Sequence, residues 1–144
     1  MPLIREMTLG DAPRLAELTT QLGYPMSHEN MLGRVQLFLK STYGKVFVAE
    51  VNGVVVGYVC LWIREHFHDM HRAARILALV VDANHQRMGI GKKLMAQAEQ
   101  YAKDEGCISV DLTSAYRRAD AHAFYESLGY EAEQTKYFSK DFPQ

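Results

Sequence analysis

The first part of the chain changes from a strand-like to a helical spacing of its apolar residues. Residues 3–6 predict a short first strand. Leu15, Leu18 and Leu22 then fall on one helical face, and Asp11 precedes them as the expected N-cap of that helix. A second amphipathic stretch follows, so we expect two helices before the chain enters its most apolar region.

Three strongly apolar segments in the middle of the chain predict consecutive strands. They cover residues 46–51, 54–63 and 74–81. Asn52 and Gly53 separate the first two segments, and this pair is the strongest short signal of a tight hairpin. The third segment is almost entirely apolar, so we expect it to be buried on both faces of a sheet.

Strand and helix patterns alternate in the second half of the chain. A helix is expected after a loop at 82–91, a strand at 108–112, a helix at about 119–128, and two strand-like pieces in the tail. The predicted order is β-α-α-β-β-β-α-β-α-β-β. Because a strand-helix-strand crossover joins parallel strands, the fold class is α/β with a mixed sheet and helices on both faces. No repeat or linker interrupts residues 1–144, which predicts a single domain.

Composition excludes several classes of protein. The 144 residues include 48% apolar and 23% charged residues and carry a formal net charge of −1, which is ordinary for a globular domain and disfavours nucleic-acid binding. No apolar run approaches the roughly 20 residues that cross a membrane. The first residues lack the apolar region of a signal peptide, so we expect a cytoplasmic protein. Cys60 and Cys107 lie in apolar strand-like runs and are interpreted as core residues rather than a disulfide or a nucleophile.

The loop at 86–91 is the strongest candidate for chemistry. Gly89 and Gly91 let the backbone approach a ligand closely, and the helix that begins there directs free N–H groups at the loop. This arrangement suits phosphate or pyrophosphate, and Arg87 and Lys92 add positive charge. The loop matches neither the dinucleotide fingerprint nor the P-loop. On the glycines alone, a purely structural turn is an equally good interpretation.

Two motifs resemble the GNAT family of N-acetyltransferases. Gln86, Gly89 and Gly91 follow that family's pattern of Gln or Arg, two residues, Gly, one residue, and Gly or Ala. The segment 124–130, which reads F-Y-E-S-L-G-Y, is similar to a later block of the family. The resemblance covers essentially the whole chain. It implies the GNAT fold with a splayed parallel pair of strands, and acetyl-CoA as co-substrate.

The resemblance also implies roles for individual residues. Loop amides would bind the CoA pyrophosphate, and the main chain of the strand before the loop would bind the pantetheine arm. The implied acetyl-CoA-binding residues are Leu79, Val80, Val81, Gln86, Arg87, Met88, Gly89, Ile90, Gly91, Lys92, Arg118 and Tyr125. Two of them are predicted to be catalytic: the Leu79 N–H would polarise the thioester carbonyl, and Tyr125 would act as general acid. Arg118 stands where many members have an asparagine.

The general base is left open. A branch of the family has a glutamate where this chain has Arg75, so direct catalysis from that position is not expected. The remaining candidates for the base are Asp111, His66, His68, Asp69, His71 and a chain of waters. The pattern H-x-H-D-x-H at 66–71 also contains zinc-type ligands, but it matches no standard zinc signature, and we predict no metal site.

The acceptor is predicted to be the primary amine of a small molecule. The expected acceptor-binding residues are Tyr24, Glu29, Trp62, Asp69 and Asp111, with an aromatic and acidic character that favours a cationic amine. Scattered surface residues are an equally good interpretation of this set. Two alternatives stay open: a non-catalytic acyl-CoA-binding module, and an acetyltransferase for protein N-termini or lysines. Exposed strand edges would allow a homodimer, and neither nucleic acid nor a membrane is expected as a partner.

Overall fold

The computed structural model describes residues 1–113, 119–133 and 137–144. In these residues five strands form one sheet in the order of the chain. The strands are β1 (Leu3–Glu6), β2 (Gly44–Val51), β3 (Val54–Glu65), β4 (Arg72–Val81) and β5 (Cys107–Leu112). The first three pairings are antiparallel and the β4–β5 pairing is parallel, which confirms the predicted mixed sheet.

The described residues also form four α-helices. They are α1 (Ala12–Leu22), α2 (His28–Lys40), α3 (Ile90–Asp104) and α4 (Ala119–Ser127). The chain divides into two compact units, Met1–Thr113 and Ser114–Gln144. The first unit contains the sheet and three helices, and the second contains α4.

The tight turn between β2 and β3 is the predicted hairpin. Asn52 has φ 51° and Gly53 has φ 78°, so both residues adopt the left-handed conformation that this class of turn requires. Val51 pairs with Val54 across the turn. The turn therefore sets the pairing of the residues next to it, and a bulge between Ala49 and Glu50 shifts the register of the rest of the strand pair.

Asp11 is the N-cap residue of α1, as predicted, but it does not cap the helix through its side chain. The side chain of Asp11 makes no capping hydrogen bond to α1, because Asp11 ends a short 3-10 turn that precedes the helix. Its two carboxylate oxygens instead accept hydrogen bonds from the Arg5 guanidinium, each at 2.9 Å. A bidentate pair of this kind joins β1 to the start of α1.

The two faces of the sheet are covered by different helices. Val46 and Val48 of β2 are buried in one cluster with residues of α1 and α2. Phe47, which lies between them, contacts Tyr101 of α3 at 5.7 Å between ring centroids. Because successive side chains of a strand point to opposite faces, α1 and α2 lie on one face and α3 lies on the other.

Two expectations for strands do not hold. Leu77 of β4 is 51% exposed, so β4 is not buried on both faces. Its pairing with β5 ends at Ile76, and the register with β3 shifts at Leu77, because Ile76 and Ala78 pair with consecutive residues of β3. In the tail, residues 130–133 and 137–144 contain no strand, whereas two strand-like pieces were predicted there.

Replacing Gly57 of β3 by alanine is expected to destabilise the fold. A Cβ at Gly57 would lie 2.8 Å from the Val80 carbonyl oxygen and 3.3 Å from Leu94 Cδ1. Overpacking against backbone costs about 1–3 kcal/mol of unfolding free energy, which urea denaturation would measure. Gly33→Ala is the matched control, because its Cβ meets nothing within 4 Å inside α2 and should stabilise by about 0.5–1 kcal/mol. Equal stability of Gly57→Ala and the unmodified protein would contradict this packing.

Candidate active site

The loop after β4 is held at its stem by Asp82 and Gln86. The Asp82 amide donates to the Val56 carbonyl of β3 at 2.7 Å, so the strand pairing extends past the end of β4. The Asp82 carboxylate accepts from the Asn84 amide at 3.2 Å and caps a short 3-10 turn. The Gln86 side chain donates to the Val81 carbonyl at 3.3 Å. The loop therefore leaves the sheet in one defined direction.

Two left-handed residues turn this loop into α3. Arg87 has φ 66° and Gly89 has φ 77°, and Gly89 is the N-cap of the helix. The helical hydrogen-bond pattern begins with the Lys93 amide, which donates to the Gly89 carbonyl at 3.1 Å. The amides that precede it lack an acceptor in the helical pattern: Ile90, Gly91 and Lys92. Residues 86–89 are exposed. An exposed turn with free amides at the positive end of a helix dipole is suited to bind an anion.

Residues of α1 hold this loop in place. An Arg14 guanidinium nitrogen lies 2.5 Å from a carboxylate oxygen of Asp82, which is only 5% exposed. Gln21 accepts from the Ala83 amide at 3.2 Å. Sequence reasoning missed these contacts. An aspartate directly after a buried strand was the one available signal, and nothing in the sequence pairs it with α1.

The Asp82 carboxylate is charged at neutral pH. Burial by itself raises the pKa of Asp82, but hydrogen bonds from the Asn84 amide and from Arg14 together outweigh it and hold the pKa below its ordinary value of 3.8. A carboxylate engaged in this way is a weak base. Asp82 therefore positions the loop.

The parallel strands part before β4 ends. The last pair between β4 and β5 is Ile76 with Leu112, while β4 continues to Val81 against β3 alone. Within the described residues, the edge of β4 that faced β5 has no strand partner from Leu77 onward. This is the splayed parallel pair that was predicted. It includes Leu79, Val80 and Val81, the segment that was predicted to bind the pantetheine arm.

Asp111 lies between two arginines. Its Oδ1 accepts from Arg75 Nε at 2.6 Å, and its Oδ2 accepts from Arg64. The three residues come from adjacent strands, and Arg75 is directly opposite Asp111 in the β4–β5 register. Both carboxylate oxygens of Asp111 already accept hydrogen bonds from guanidinium groups, so contact with an acceptor amine would have to compete with these arginines. Arg64 and Arg75 also make this part of the sheet less acidic than the sequence suggested.

The other predicted acceptor residues lie on separate elements. Tyr24 is 65% exposed between α1 and α2, and Glu29 is exposed in the first turn of α2. Trp62 is half-buried and packs edge-to-face on Phe38 of α2, with ring centroids 5.6 Å apart. Among the described residues, no hydrogen bond, ion pair or ring contact joins Tyr24, Glu29, Trp62 and Asp69 to one another.

Asp69 organises the loop between β3 and β4. Its Oδ1 accepts from the His71 amide at 2.8 Å and lies 3.0 Å from His66 Nδ1. The His66 amide donates to the His71 carbonyl at 3.1 Å and closes the loop. The backbone hydrogen bond from His71, together with the neighbouring imidazoles, lowers the pKa of Asp69.

Tyr125 lies on α4 in the second unit. It is half-buried, and its ring centroid is 5.2 Å from that of Phe124 and 6.1 Å from that of Tyr130. Its carbonyl accepts from the Leu128 amide at 3.0 Å and from the Tyr130 amide at 3.1 Å at the helix end. Arg118, the other predicted CoA-binding residue of this unit, lies outside the described residues.

The two cysteines are partly buried. Both are free thiols, which confirms that they form no disulfide. Burial raises the pKa of Cys60 to about 12, and burial also raises the pKa of Cys107. A protonated thiol is a weak nucleophile.

Comparison with known proteins identifies the family. Residues 13–130 match the sequence model of the acetyltransferase (GNAT) family, and the chain belongs to this family of N-acetyltransferases, whose co-substrate is acetyl-CoA. In the part of the chain that the structure describes, no helix has the length and apolar character needed to cross a membrane.

Two curated proteins that are similar to this chain are also named as N-acetyltransferases. The chain is 37% identical over 79 residues to the aminoalkylphosphonate N-acetyltransferase of Salmonella typhimurium, with 55% of this chain aligned. That alignment spans about half of the relative, namely 51% of its length. The chain is also 28% identical to the aminoglycoside N(6')-acetyltransferase type 1 of Stenotrophomonas maltophilia, over 95% of this chain and 92% of that protein.

A solved structure shows the same fold. An aminoglycoside N-acetyltransferase in complex with CoA superposes with a TM-score of 0.88 at 19% identity, covering 98% of this chain and 95% of that chain. At this identity the likeness concerns the fold. It confirms the predicted GNAT architecture.

Asp82→Asn is expected to reduce stability in a pH-dependent way. Removing the charge that Arg14 contacts should lower the unfolding free energy at pH 7 by about 1–3 kcal/mol. Because the pKa of Asp82 is lower in the folded than in the unfolded chain, its contribution is present above the ordinary value of 3.8 and lost as the pH falls through the folded value. Urea denaturation at pH 7 and at about pH 3 would measure the difference in unfolding free energy between the unmodified protein and Asp82→Asn. This difference should be smaller at the lower pH. Asp141→Asn, an exposed carboxyl in the tail, is the control; a difference that widened in acid would contradict the assignment.

Proposed function

We propose that this chain transfers the acetyl group of acetyl-CoA to the primary amine of a small molecule. The observation that carries the proposal is the exposed turn between β4 and α3, where three successive helix amides have no helical acceptor and Gly89 adopts φ 77°. The solved aminoglycoside acetyltransferase of the same fold contains CoA. Family membership supports the same co-substrate.

The residues of the turn fit a pyrophosphate. A Cβ at Gly89 would meet nothing within 4 Å, so the space over this backbone is open to a ligand. Arg87 and Lys92 add positive charge at the same helix end. This charge and the helix dipole would both stabilise a negatively charged pyrophosphate there. The proposed acetyl-CoA-binding residues are Leu79, Val80, Val81, Gln86, Arg87, Met88, Gly89, Ile90, Gly91, Lys92, Arg118 and Tyr125.

The splayed part of β4 is proposed to hold the thioester. The Leu79 N–H would donate to the carbonyl oxygen of the acetyl group. A donor aimed at developing negative charge lowers the activation free energy by on the order of 3 kcal/mol. The neutral amine would attack the carbonyl carbon, form the C–N bond and release CoA as the C–S bond breaks. Tyr125 would give its phenolic proton to the departing thiolate, since a phenol is protonated at neutral pH.

The names of two similar proteins support a small amine as acceptor. Relatives named for acetylation of aminoglycosides and of aminoalkylphosphonates both act on small amines. The proposed acceptor-binding residues are Tyr24, Glu29, Trp62, Asp69 and Asp111. Since both oxygens of Asp111 are engaged by arginines, the proton of the amine is proposed to leave through water. The single domain over residues 1–144, the cytoplasmic location and the homodimer stay predictions of the sequence.

A non-catalytic acyl-CoA-binding module would share the same turn. The two functions are separated by incubating the protein with acetyl-CoA and a panel of amines and following the release of free thiol. Acetyl-CoA binding with amine-dependent thiol release supports the acetyltransferase. Binding without thiol release for any small amine, protein N-terminus or lysine peptide would support the module instead, and no binding at all would contradict both.

Gly89→Ala is expected to weaken acetyl-CoA binding. An alanine at φ 77° is strained by about 1 kcal/mol and shifts the amides of the turn, so the Kd should rise roughly tenfold. Gly106→Ala is the matched control, because Gly106 has φ 81° just beyond the opposite end of α3. It should lose similar stability but keep its Kd in isothermal titration calorimetry. Equal Kd values for the two variants would contradict a pyrophosphate site at this turn.

Tyr125→Phe is expected to slow turnover and leave binding intact. Loss of the proton donor should reduce kcat by roughly a hundredfold or more, while the Kd for acetyl-CoA changes little. Steady-state assays of thiol release would measure the rate. Tyr137→Phe, at a tyrosine that is 81% exposed, is the control and should keep full kcat. An unchanged kcat for Tyr125→Phe would remove the general-acid role without affecting the proposed cofactor site.

A further inference from the structure

The loop between β3 and β4 contains a group of ligating atoms that the acetyl-transfer proposal uses only in part. One ligating atom each from His66, Asp69 and His71 lie within 4.8 Å of one another. Two imidazoles and a carboxylate are typical ligands of zinc and of neighbouring divalent transition metals. The sequence has no standard spacing for such a site. The hairpin creates the proximity, because His66 follows the last residue of β3 and His71 precedes the first residue of β4.

The separations of these atoms suit one bound cation. His66 Nδ1 lies 3.0 Å and His71 Nδ1 lies 3.6 Å from Asp69 Oδ1. In a tetrahedral zinc site with bonds of about 2.0–2.1 Å, neighbouring ligand atoms are about 3.3–3.4 Å apart. These two distances lie on either side of that value, and the ligating atoms of the two histidines lie within 4.8 Å of each other, so side-chain rotations would bring all three onto one metal ion.

The loop is already ordered around Asp69. The backbone hydrogen bond between His66 and His71 closes it at 3.1 Å, and the His71 amide holds the carboxylate at 2.8 Å. The positive charge of Arg72 next to the loop is compensated by Glu65, which accepts a hydrogen bond from it at 3.1 Å. A cation would therefore meet a preformed, negatively charged site and would require little ordering of the chain.

We infer that His66, Asp69 and His71 form a binding site for a divalent transition metal of the zinc class. Binding replaces the contact between His66 Nδ1 and Asp69 with two bonds to the metal, each imidazole coordinates as the neutral form, and any proton on a coordinating nitrogen is released. The metal joins the ends of β3 and β4 across the hairpin. This inference does not depend on the proposed acetyl transfer, and it reverses the sequence-based expectation of no metal.

The test uses the full chain after treatment with a chelator. Cobalt(II), followed by its visible absorption, and zinc(II), followed by calorimetry, should each bind with one-to-one stoichiometry. Zinc should also raise the Tm, because it binds the folded chain. Asp69→Asn and His71→Ala should each weaken binding by at least roughly tenfold and abolish the shift in Tm.

His28→Ala is the matched control, because it removes an exposed histidine from the start of α2 and leaves the hairpin unchanged. It should bind zinc as the unmodified protein does. The inference is overturned if the unmodified protein shows no saturable binding, or if Asp69→Asn and His71→Ala bind as tightly as His28→Ala. None of these measurements uses acetyl transfer, so failure here and failure of the proposed function are separate results.

Discussion

The buried carboxylate of Asp82 is the contact on which the arrangement around the candidate cofactor turn depends. It lies at the point where β4 ends, and it is engaged at the same time by Arg14 of α1 and by the Asn84 amide of the following turn. Its charge is stable only because these donors offset the cost of burial. One side chain thus joins α1 to the end of β4 and to the loop that follows it, although Arg14 and Asp82 are 68 residues apart in the sequence. The direction of the loop follows from that junction.

The neighbouring backbone, in contrast, has no strand partner among residues 1–113, 119–133 and 137–144. β5 stops pairing with β4 at Ile76, and the left-handed residues Arg87 and Gly89 turn the first amides of α3 outward. Backbone polar groups in a folded domain are normally paired with one another or with solvent. In the part of the chain that the structure describes, a strand edge and a helix start lie on either side of one short loop without backbone partners. These donors are the basis for the proposed binding of the CoA pyrophosphate and pantetheine arm.

The other end of β3 and β4 has a different electrostatic character. Arg64, Arg75 and Asp111 form a charged cluster across three strands, and the loop beyond it gathers imidazoles around Asp69. The charge of Asp111 is balanced by two arginines, whereas Asp69 faces the imidazoles of His66 and His71. Asp111 and Asp69 are both candidate bases in the sequence, but the fold gives them different partners.

Local patterns were sufficient for much of this protein. The spacing of apolar residues predicted the order of the helices and of the five strands, and Asn52 and Gly53 predicted the hairpin. Gln86, Gly89 and Gly91 marked the turn that is proposed to bind the cofactor. Each of these features depends on residues close together in the chain. The two strands expected in the tail are absent from its described residues, 130–133 and 137–144, since short alternating patterns do not show whether a neighbouring strand is available.

Only the tertiary structure decided which charges meet. The pairing of Arg14 with Asp82, of Asp11 with Arg5 and of Asp111 with two arginines joins residues on different elements, and each pairing changes what the carboxylate can do. The same holds for His66 and His71, whose proximity follows from the register of β3 and β4. The sequence by itself determined the elements and the donor end of the proposed reaction, because backbone conformation is local. The fate of each ionisable side chain depends on distance and burial, which exist only once the chain has folded.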